Sequence, residues 1–177
     1  MHRPGSARPI AVATWATAML MGAGQLMAGP YDEPRTYAVL AALVLLAALA
    51  WVTMWRPAVE VAPHGVVLRN PLRTVLVTWP AIEAVDGRFG LRVDTAQSHW
   101  SAWAAGPPPS GARRQGLPSD VAVAVEERRE QVRSRGHMDR GPVEGDGAQV
   151  DRDVRALQVL GGAAAVFAVA LAVSLLT

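Results

Sequence analysis

Side chains suited to acid–base or metal chemistry are scattered along this chain of 177 residues. No histidine stands in an HExxH or comparable metal-ligand spacing, and no nucleophile-elbow, Walker-type or dinucleotide-binding glycine pattern occurs. The carboxylates of the central region do not form the close pair that glycosidases use. The absence of cysteine excludes thiol chemistry and disulfides. The sequence therefore predicts no catalytic residue, no metal site, no cofactor and no enzymatic activity. The histidines and central carboxylates considered are His2, His64, His99, His137, Glu60, Glu83, Asp86 and Asp94.

Three arginines are the candidate contacts with lipid headgroups or with a partner protein: Arg56, Arg69 and Arg73. Arg69 and Arg73 flank a predicted hairpin tip, and Arg56 directly follows an apolar stretch. Each basic residue near an anionic leaflet contributes about 1 kcal/mol of attraction. The alternative is an ordinary solvated hairpin whose charges keep a strand edge soluble.

Three apolar stretches without a charged side chain dominate the rest of the sequence: Ile10–Ala28, Thr36–Trp55 and Ala156–Leu176. About 20 apolar residues in a helix cross a hydrocarbon core of about 30 Å. We therefore expect three transmembrane helices, two as an N-terminal hairpin and one at the C-terminus. Because no ionisable group lies within them, they are predicted to act as anchors rather than as a transport path.

Arginines near the predicted spans indicate the orientation. Arg3 and Arg8 precede the first span, Arg56 follows the second, and Arg152 and Arg155 precede the third. By the positive-inside rule, the N-terminus and residues 56–155 are cytoplasmic and the C-terminus lies at the outer face of the cell membrane. A rival interpretation makes the first stretch a cleaved signal peptide, but residues 56–155 stay inside in either case.

The calculated pI of about 9.9 suggests nucleic-acid binding, but the local charge does not. Residues 56–155 hold fourteen arginines and thirteen acidic residues, so their net charge is 14 − 13 = +1. A duplex-binding surface requires a concentrated basic face. The sequence therefore argues against a nucleic-acid partner.

Short alternating segments follow the second apolar stretch. Strands are predicted at Ala58–Ala62, Val66–Arg69 and Thr74–Trp79, and the alternation of Phe89, Leu91 and Val93 predicts another. This spacing is typical of a small antiparallel sheet that curls on itself. Three tryptophans of the region are expected to be core or membrane-facing packing residues rather than a ligand cage. These are Trp79, Trp100 and Trp103.

One amphipathic helix is predicted after the strands. Ser119 or Asp120 is a suitable N-cap, and Val121, Val125 and Val132 share one face. The helix could cover the sheet, lie on the membrane or dimerise, and the sequence leaves these alternatives open. Its Pro/Gly-rich flanks are predicted to be linkers.

The resulting fold class is an α+β membrane protein: three transmembrane helices, a small antiparallel β domain and one peripheral helix. The predicted segments are a two-helix transmembrane hairpin at 1–55, the β domain at 56–104, a linker at 105–118, the peripheral helix at 119–135, a flexible linker at 136–155 and the C-terminal transmembrane helix at 156–177.

An ordered series of residues resembles the actinobacterial PH domain-containing membrane proteins, the family named after low molecular weight protein antigen 6. The resemblance covers about half of the chain, from Trp55 to about Arg135. Its densest part is Arg69-Asn70-Pro71-Leu72-Arg73-Thr74-Val75. Further matching residues are Trp55-Arg56-Pro57, Val59-Glu60-Val61, His64-Gly65-Val66, Trp79, Ile82, Val85-Asp86, Arg88, Leu91, Val93, Thr95, Ala102-Trp103-Ala104 and Ser119-Asp120-Val121-Ala122.

The resemblance implies a bacterial PH-like fold, a curved antiparallel sheet beside membrane spans, and it carries over no catalytic residue. One departure is visible. Family members often have a glycine turn after the threonine, whereas this chain reads Thr95-Ala96-Gln97-Ser98-His99. The last hairpin is therefore expected to be looser or differently closed.

We expect a non-enzymatic membrane protein that presents a cytoplasmic PH-like module as a scaffold or interaction device at the inner leaflet. The alternative is an accessory subunit of a membrane enzyme or transporter complex, with the spans making the essential contacts. The expected partners are the bilayer itself, anionic headgroups at the three arginines, a protein of unknown identity, and a second copy of the chain in a homo-oligomer.

Overall fold

A computed structural model describes residues 7–29, 33–135 and 147–176. These residues divide into two compact units, which are described separately below. Among the described residues, the β-rich unit contains those of Pro57–Arg152, and the helical unit contains those of Gly5–Arg56 and Asp153–Thr177.

The helical unit contains the three predicted apolar helices. They are α1 (Ala7–Ala28), α2 (Pro34–Ala50) and α5 (Val154–Leu176), numbered in chain order, and α2 continues as a π-helical turn at Trp51–Trp55. Pro34 lies in the first turn of α2, where its missing N–H costs no hydrogen bond. Each helix is long and apolar enough to cross a membrane. The prediction of three membrane-spanning segments is confirmed to that extent.

Polar contacts fasten one end of the helical unit. Arg56, just after α2, forms an ion pair with Asp153, just before α5. The same carboxylate accepts a hydrogen bond from the backbone N–H of Ala156 at 2.9 Å and so caps α5. The guanidinium of Arg8, in the first turn of α1, lies 4.7 Å from the ring centre of Trp55. The chain thus leaves α2 and enters α5 at the same end of this unit.

The β-rich unit contains two antiparallel sheets rather than one curled sheet. The first has the order β1 (Ala58–Ala62), β2 (Gly65–Arg69), β3 (Arg73–Thr78) and β7 (Ala148–Arg152). The second has the order β4 (Ala84–Asp86), β5 (Arg92–Asp94) and β6 (His99–Ser101). The predicted strands β1 to β3 and the antiparallel α+β fold class are confirmed.

The core lies between the sheets because alternate residues of each strand face inward. Trp79, in a 3₁₀ turn at Trp79–Ala81, is only 2% exposed. Its indole N–H donates to the carbonyls of Ala62 and Pro63 at 3.2 and 3.1 Å. Trp79 is therefore a core residue, as predicted. Other buried core members are Val59, Val66, Leu68, Val75, Val77, Ile82, Leu91 and Val93.

The predicted amphipathic helix forms and packs on the sheets. This helix, α4 (Asp120–Ser134), begins after Ser119, whose hydroxyl accepts a hydrogen bond from the N–H of Ala122 at 3.4 Å. Its apolar face, with Val121 and Val125, belongs to the core of the β-rich unit. Of the alternatives that the sequence left open, the structure selects the one in which the helix covers the sheet.

Both predicted linkers contain regular structure that the sequence did not indicate. A short helix, α3 (Ser110–Arg114), lies within 105–118, and β7 lies within 136–155. Since β7 pairs with β3 along its whole length, it protects an edge that would otherwise expose unpaired backbone groups. Residues 136–146 of the predicted linker lie outside the described residues.

The prediction of a half-buried strand over Phe89, Leu91 and Val93 is wrong in its first half. Phe89 is 81% exposed, and the strand begins only at Arg92. Gly90 has a φ of +114°, which ends extended pairing, and the N–H of Leu91 donates to the carbonyl of Ala105 at 3.2 Å. Leu91 and Val93 are buried as expected.

Arg129 is a buried cation that holds α4 against the second sheet. Only 8% of it is exposed, and one terminal nitrogen donates to the carbonyls of both Ile82 and Glu83 at 2.8 Å. Its other terminal nitrogen is 3.3 Å from the carboxylate of Glu126. The contact with Ile82 and Glu83, which lie just before β4, joins residues distant in sequence and could not be seen in the sequence.

We predict that Arg129→Lys destabilises the β-rich unit by about 1–3 kcal/mol, because an ammonium group lacks the planar set of donors that joins the carbonyls of Ile82 and Glu83 to the carboxylate of Glu126. Arg133→Lys is the matched control, since Arg133 also pairs with a glutamate three residues earlier at 3.3 Å but is exposed. Urea titration of the full chain in detergent micelles, with amide hydrogen exchange of β1–β3 as the readout, measures the unfolding midpoint of each variant. Equal midpoints for the two variants would contradict this role of Arg129.

Candidate functional site

The candidate site is one end of the first sheet, which we call the basic end. It consists of Arg69, Arg73, Arg152 and the turn 70–72 that joins β2 to β3. Arg69 lies opposite Ala58, the first residue of β1, and Arg73 lies opposite Arg152, the last residue of β7. The chain therefore enters the sheet from α2 and leaves it toward α5 at this same end.

The positive charges at the basic end are only partly neutralised. Arg69 forms an exposed ion pair with Glu60 at 3.0 Å. The guanidinium of Arg73 lies 5.5 Å from the ring centre of Trp100. Because directly opposite residues of antiparallel strands share a face, Arg73 and Arg152 place two like charges side by side. Such a pair is unfavourable in water and becomes favourable beside an anion.

Asn70 holds the hairpin tip against the second sheet. Its backbone N–H donates to the carbonyl of Arg73 at 2.8 Å and closes the turn. Its side-chain amide donates to the carbonyl of Ser101 at 3.0 Å and accepts from the N–H of Trp103 at 2.8 Å. The tip is therefore fixed in place rather than free to move away from β6.

Apolar side chains are exposed beside these arginines. Leu72 occupies the tip itself, and Trp103, whose backbone is bonded to Asn70, is 62% exposed. Trp103 is thus not a core residue, and its membrane-facing role stays a prediction. Tryptophan and arginine beside exposed aliphatic groups are the composition found at membrane–water interfaces.

The structure does not bring the three predicted contact residues together in one unit. Arg69 and Arg73 lie at the basic end, whereas Arg56 belongs to the helical unit, where it pairs with Asp153 and lies 5.1 Å from the ring centre of Trp51. Arg152 was missed as a site residue because its strand was not predicted. Its signal in the sequence was the alternating segment Ala148–Arg152, obscured by the Pro/Gly-rich residues before it.

Metal-ligating side chains are not grouped in the part of the chain that the structure describes. Among residues 7–29, 33–135 and 147–176, no three or more histidine, aspartate or glutamate side chains are placed so that they could hold a metal ion. The basic end carries guanidinium groups, which are donors that anion-binding sites in proteins commonly use.

Comparison with known proteins agrees with this architecture. A family model described as a bacterial PH domain matches residues 56–131, somewhat less than half of the chain. No significant match is found among curated proteins or among solved structures. The chain therefore combines a PH-like domain with apolar helices that could span a membrane, which defines the class as a membrane-associated module. Strand β7 lies beyond the matched segment.

We predict that Asn70→Ala loosens the hairpin tip, since both side-chain hydrogen bonds are lost at about 1 kcal/mol each. Asn70→Asp keeps the acceptor for the N–H of Trp103 and is expected to have about half the effect. Hydrogen–deuterium exchange of residues 69–73 in the full chain measures the difference. Identical exchange in the wild type and Asn70→Ala would show that the amide does not fasten the tip.

Proposed function

We propose that this protein is a non-enzymatic, membrane-anchored interaction device that presents its PH-like module on the cytoplasmic side. The observation that carries the proposal is the placement of the basic end. Both chain connections to the apolar helices attach to the sheet at this end, and the arginines and the exposed Trp103 are found there too.

Connectivity supports contact between the basic end and the inner leaflet. Strand β1 starts three residues after Trp55, and β7 ends two residues before Val154. Residues span at most about 3.5 Å each, so both connections are short. We propose that Arg73 and Arg152 meet an anionic leaflet, which attracts basic residues by about 1 kcal/mol each.

The contact positions the module rather than anchoring it. The three apolar helices supply the membrane affinity, and a few arginines add an attraction that salt screens over about 10 Å. We infer that Arg69 and Arg73 orient the β-rich unit on the leaflet, so that its remaining surfaces face the cytoplasm in a defined direction. PH domains are in general non-catalytic interaction modules, which agrees with this role.

We predict that residues 69–73 and 99–103 of the full chain exchange their amide hydrogens several-fold more slowly in nanodiscs containing phosphatidylglycerol than in pure phosphatidylcholine. The anionic headgroups hold the guanidinium groups and shield the hairpin, and high salt is expected to remove the difference. Hydrogen–deuterium exchange with mass spectrometry provides the measurement.

Arg69→Gln/Arg73→Gln is expected to abolish the lipid dependence. The matched control is Arg88→Gln/Arg92→Gln, which removes the same charge from the region of β5, where Arg92 pairs with Asp94 at 2.7 Å. Exchange that is equal in both lipids, or a lipid effect that both double variants remove alike, would assign the hairpin to ordinary solvated surface.

A further inference from the structure

A groove lies between α4 and the edge of the second sheet, within the β-rich unit. We call it the acidic groove. Its volume is about 460 Å³, within the range of about 300–1,000 Å³ typical of binding pockets. Its lining residues are Val85, Gly87, Pro118, Ala122, Val123, Glu126, Glu127 and Glu130.

The apolar part of the groove is rigidly built. An ideal Cβ placed on Gly87 would lie 2.6 Å from the Cβ of Pro118 and 2.7 Å from that of Ala122. The N–H of Ser119 donates to the carbonyl of Gly87 at 3.0 Å, which fixes the start of α4 against the sheet. Arg129 fixes the same helix further along. The groove is therefore preformed, so a ligand would not have to open it.

Charge on the helical wall is negative. Glu126 and Glu130 are each 3.3 Å from an arginine of the same helix, whereas Glu127 forms no ion pair among the residues that the structure describes. All three carboxylates are exposed. We call the apolar lining residues Val85, Pro118, Ala122 and Val123 the floor of the groove. The carboxylates of the wall thus offer hydrogen-bond acceptors to a cationic side chain that lies over this floor.

The opposite wall is an edge strand. In the described sheet, β4 pairs with β5 on one side only and is the terminal strand, and α4 contacts it. An extended segment that lies along such an edge directs alternate side chains to opposite faces, so that an apolar and a basic side chain both reach the groove.

We propose that the acidic groove binds a short extended segment of a partner protein that carries arginine or lysine next to apolar side chains. The inference rests on the interaction role proposed above and specifies the chemistry of the partner. Charge complementarity selects this occupant, because the groove has an apolar floor and an excess of carboxylates, and acidic or neutral segments would leave the carboxylates unmatched.

The test is fluorescence anisotropy with the full chain in maltoside micelles and a labelled peptide of sequence acetyl-GLRLRLRG-amide. Two comparison peptides replace arginine by glutamate or by neutral, nearly isosteric citrulline. We expect the arginine peptide to bind at least tenfold more tightly than either, with an affinity that falls as salt is raised. Protein-free micelles correct for partitioning of the peptide into detergent.

Two variants place the binding in the groove. Glu127→Gln/Glu130→Gln is expected to weaken binding about tenfold, and Val123→Lys to reduce it at least as much by placing a cation on the floor. The matched control, Glu60→Gln/Asp151→Asn, removes the same charge from the first sheet and is expected to change affinity less than about twofold. Unchanged urea midpoints show that each variant is folded.

Equal binding of the arginine and citrulline peptides, or equal loss in the groove and control variants, would overturn the proposal. Self-association of the chain that Glu127→Gln/Glu130→Gln abolishes, without peptide binding, would also overturn it and assign the groove to a second copy. Neutral micelles contain no anionic lipid, so a lack of peptide binding would not contradict the proposed contact with headgroups. Likewise, a lack of lipid-dependent amide exchange would not contradict peptide binding in the groove.

Discussion

Antiparallel pairing of β7 with β3 determines where the β-rich unit connects to the apolar helices. Without β7, the chain would enter the first sheet at β1 and leave the β-rich unit after α4. With it, the C-terminal connection returns to the end of the sheet where β1 begins, and Arg152 lies opposite Arg73. Within the helical unit, the ion pair between Arg56 and Asp153 joins the end of α2 to the start of α5. Both chain connections between the β-rich unit and the apolar helices thereby start from the basic end.

Opposite charges are separated on the β-rich unit although its net charge is small. Arginines concentrate at the basic end, where Arg73 and Arg152 are neighbours across two strands, and glutamates concentrate along one wall of the acidic groove. A count of fourteen arginines and thirteen acidic residues over 56–155 conceals this separation. In the two proposals made above, the basic end contacts an anionic surface and the acidic groove binds a cationic segment, so the same module would serve two kinds of partner.

Strong local patterns made much of the fold predictable. Long uncharged segments gave the three helices, alternation gave β1 to β3, and the Ser119 cap with its valine face gave α4. The features that the sequence did not predict depend on contacts between residues distant in sequence. Strand β7 is stable because β3 offers an open edge, and Arg129 is buried because the carbonyls of Ile82 and Glu83 lie opposite it. Phe89 was misplaced because alternation does not reveal the positive φ of Gly90. Of the candidate site, the Arg69–Arg73 hairpin was predictable, whereas Arg152 and the acidic groove required the tertiary structure.

The orientation of the module is tested most directly by single-cysteine labelling, since the chain has no cysteine of its own. Gln115→Cys places a thiol in the exposed segment between α3 and α4, and Glu33→Cys places one in the exposed residue before α2. In spheroplasts, a membrane-impermeant maleimide is expected to label Glu33→Cys at once and Gln115→Cys only after the membrane is permeabilised. Labelling of Gln115→Cys in intact spheroplasts would place the PH-like module outside the cell and contradict the account.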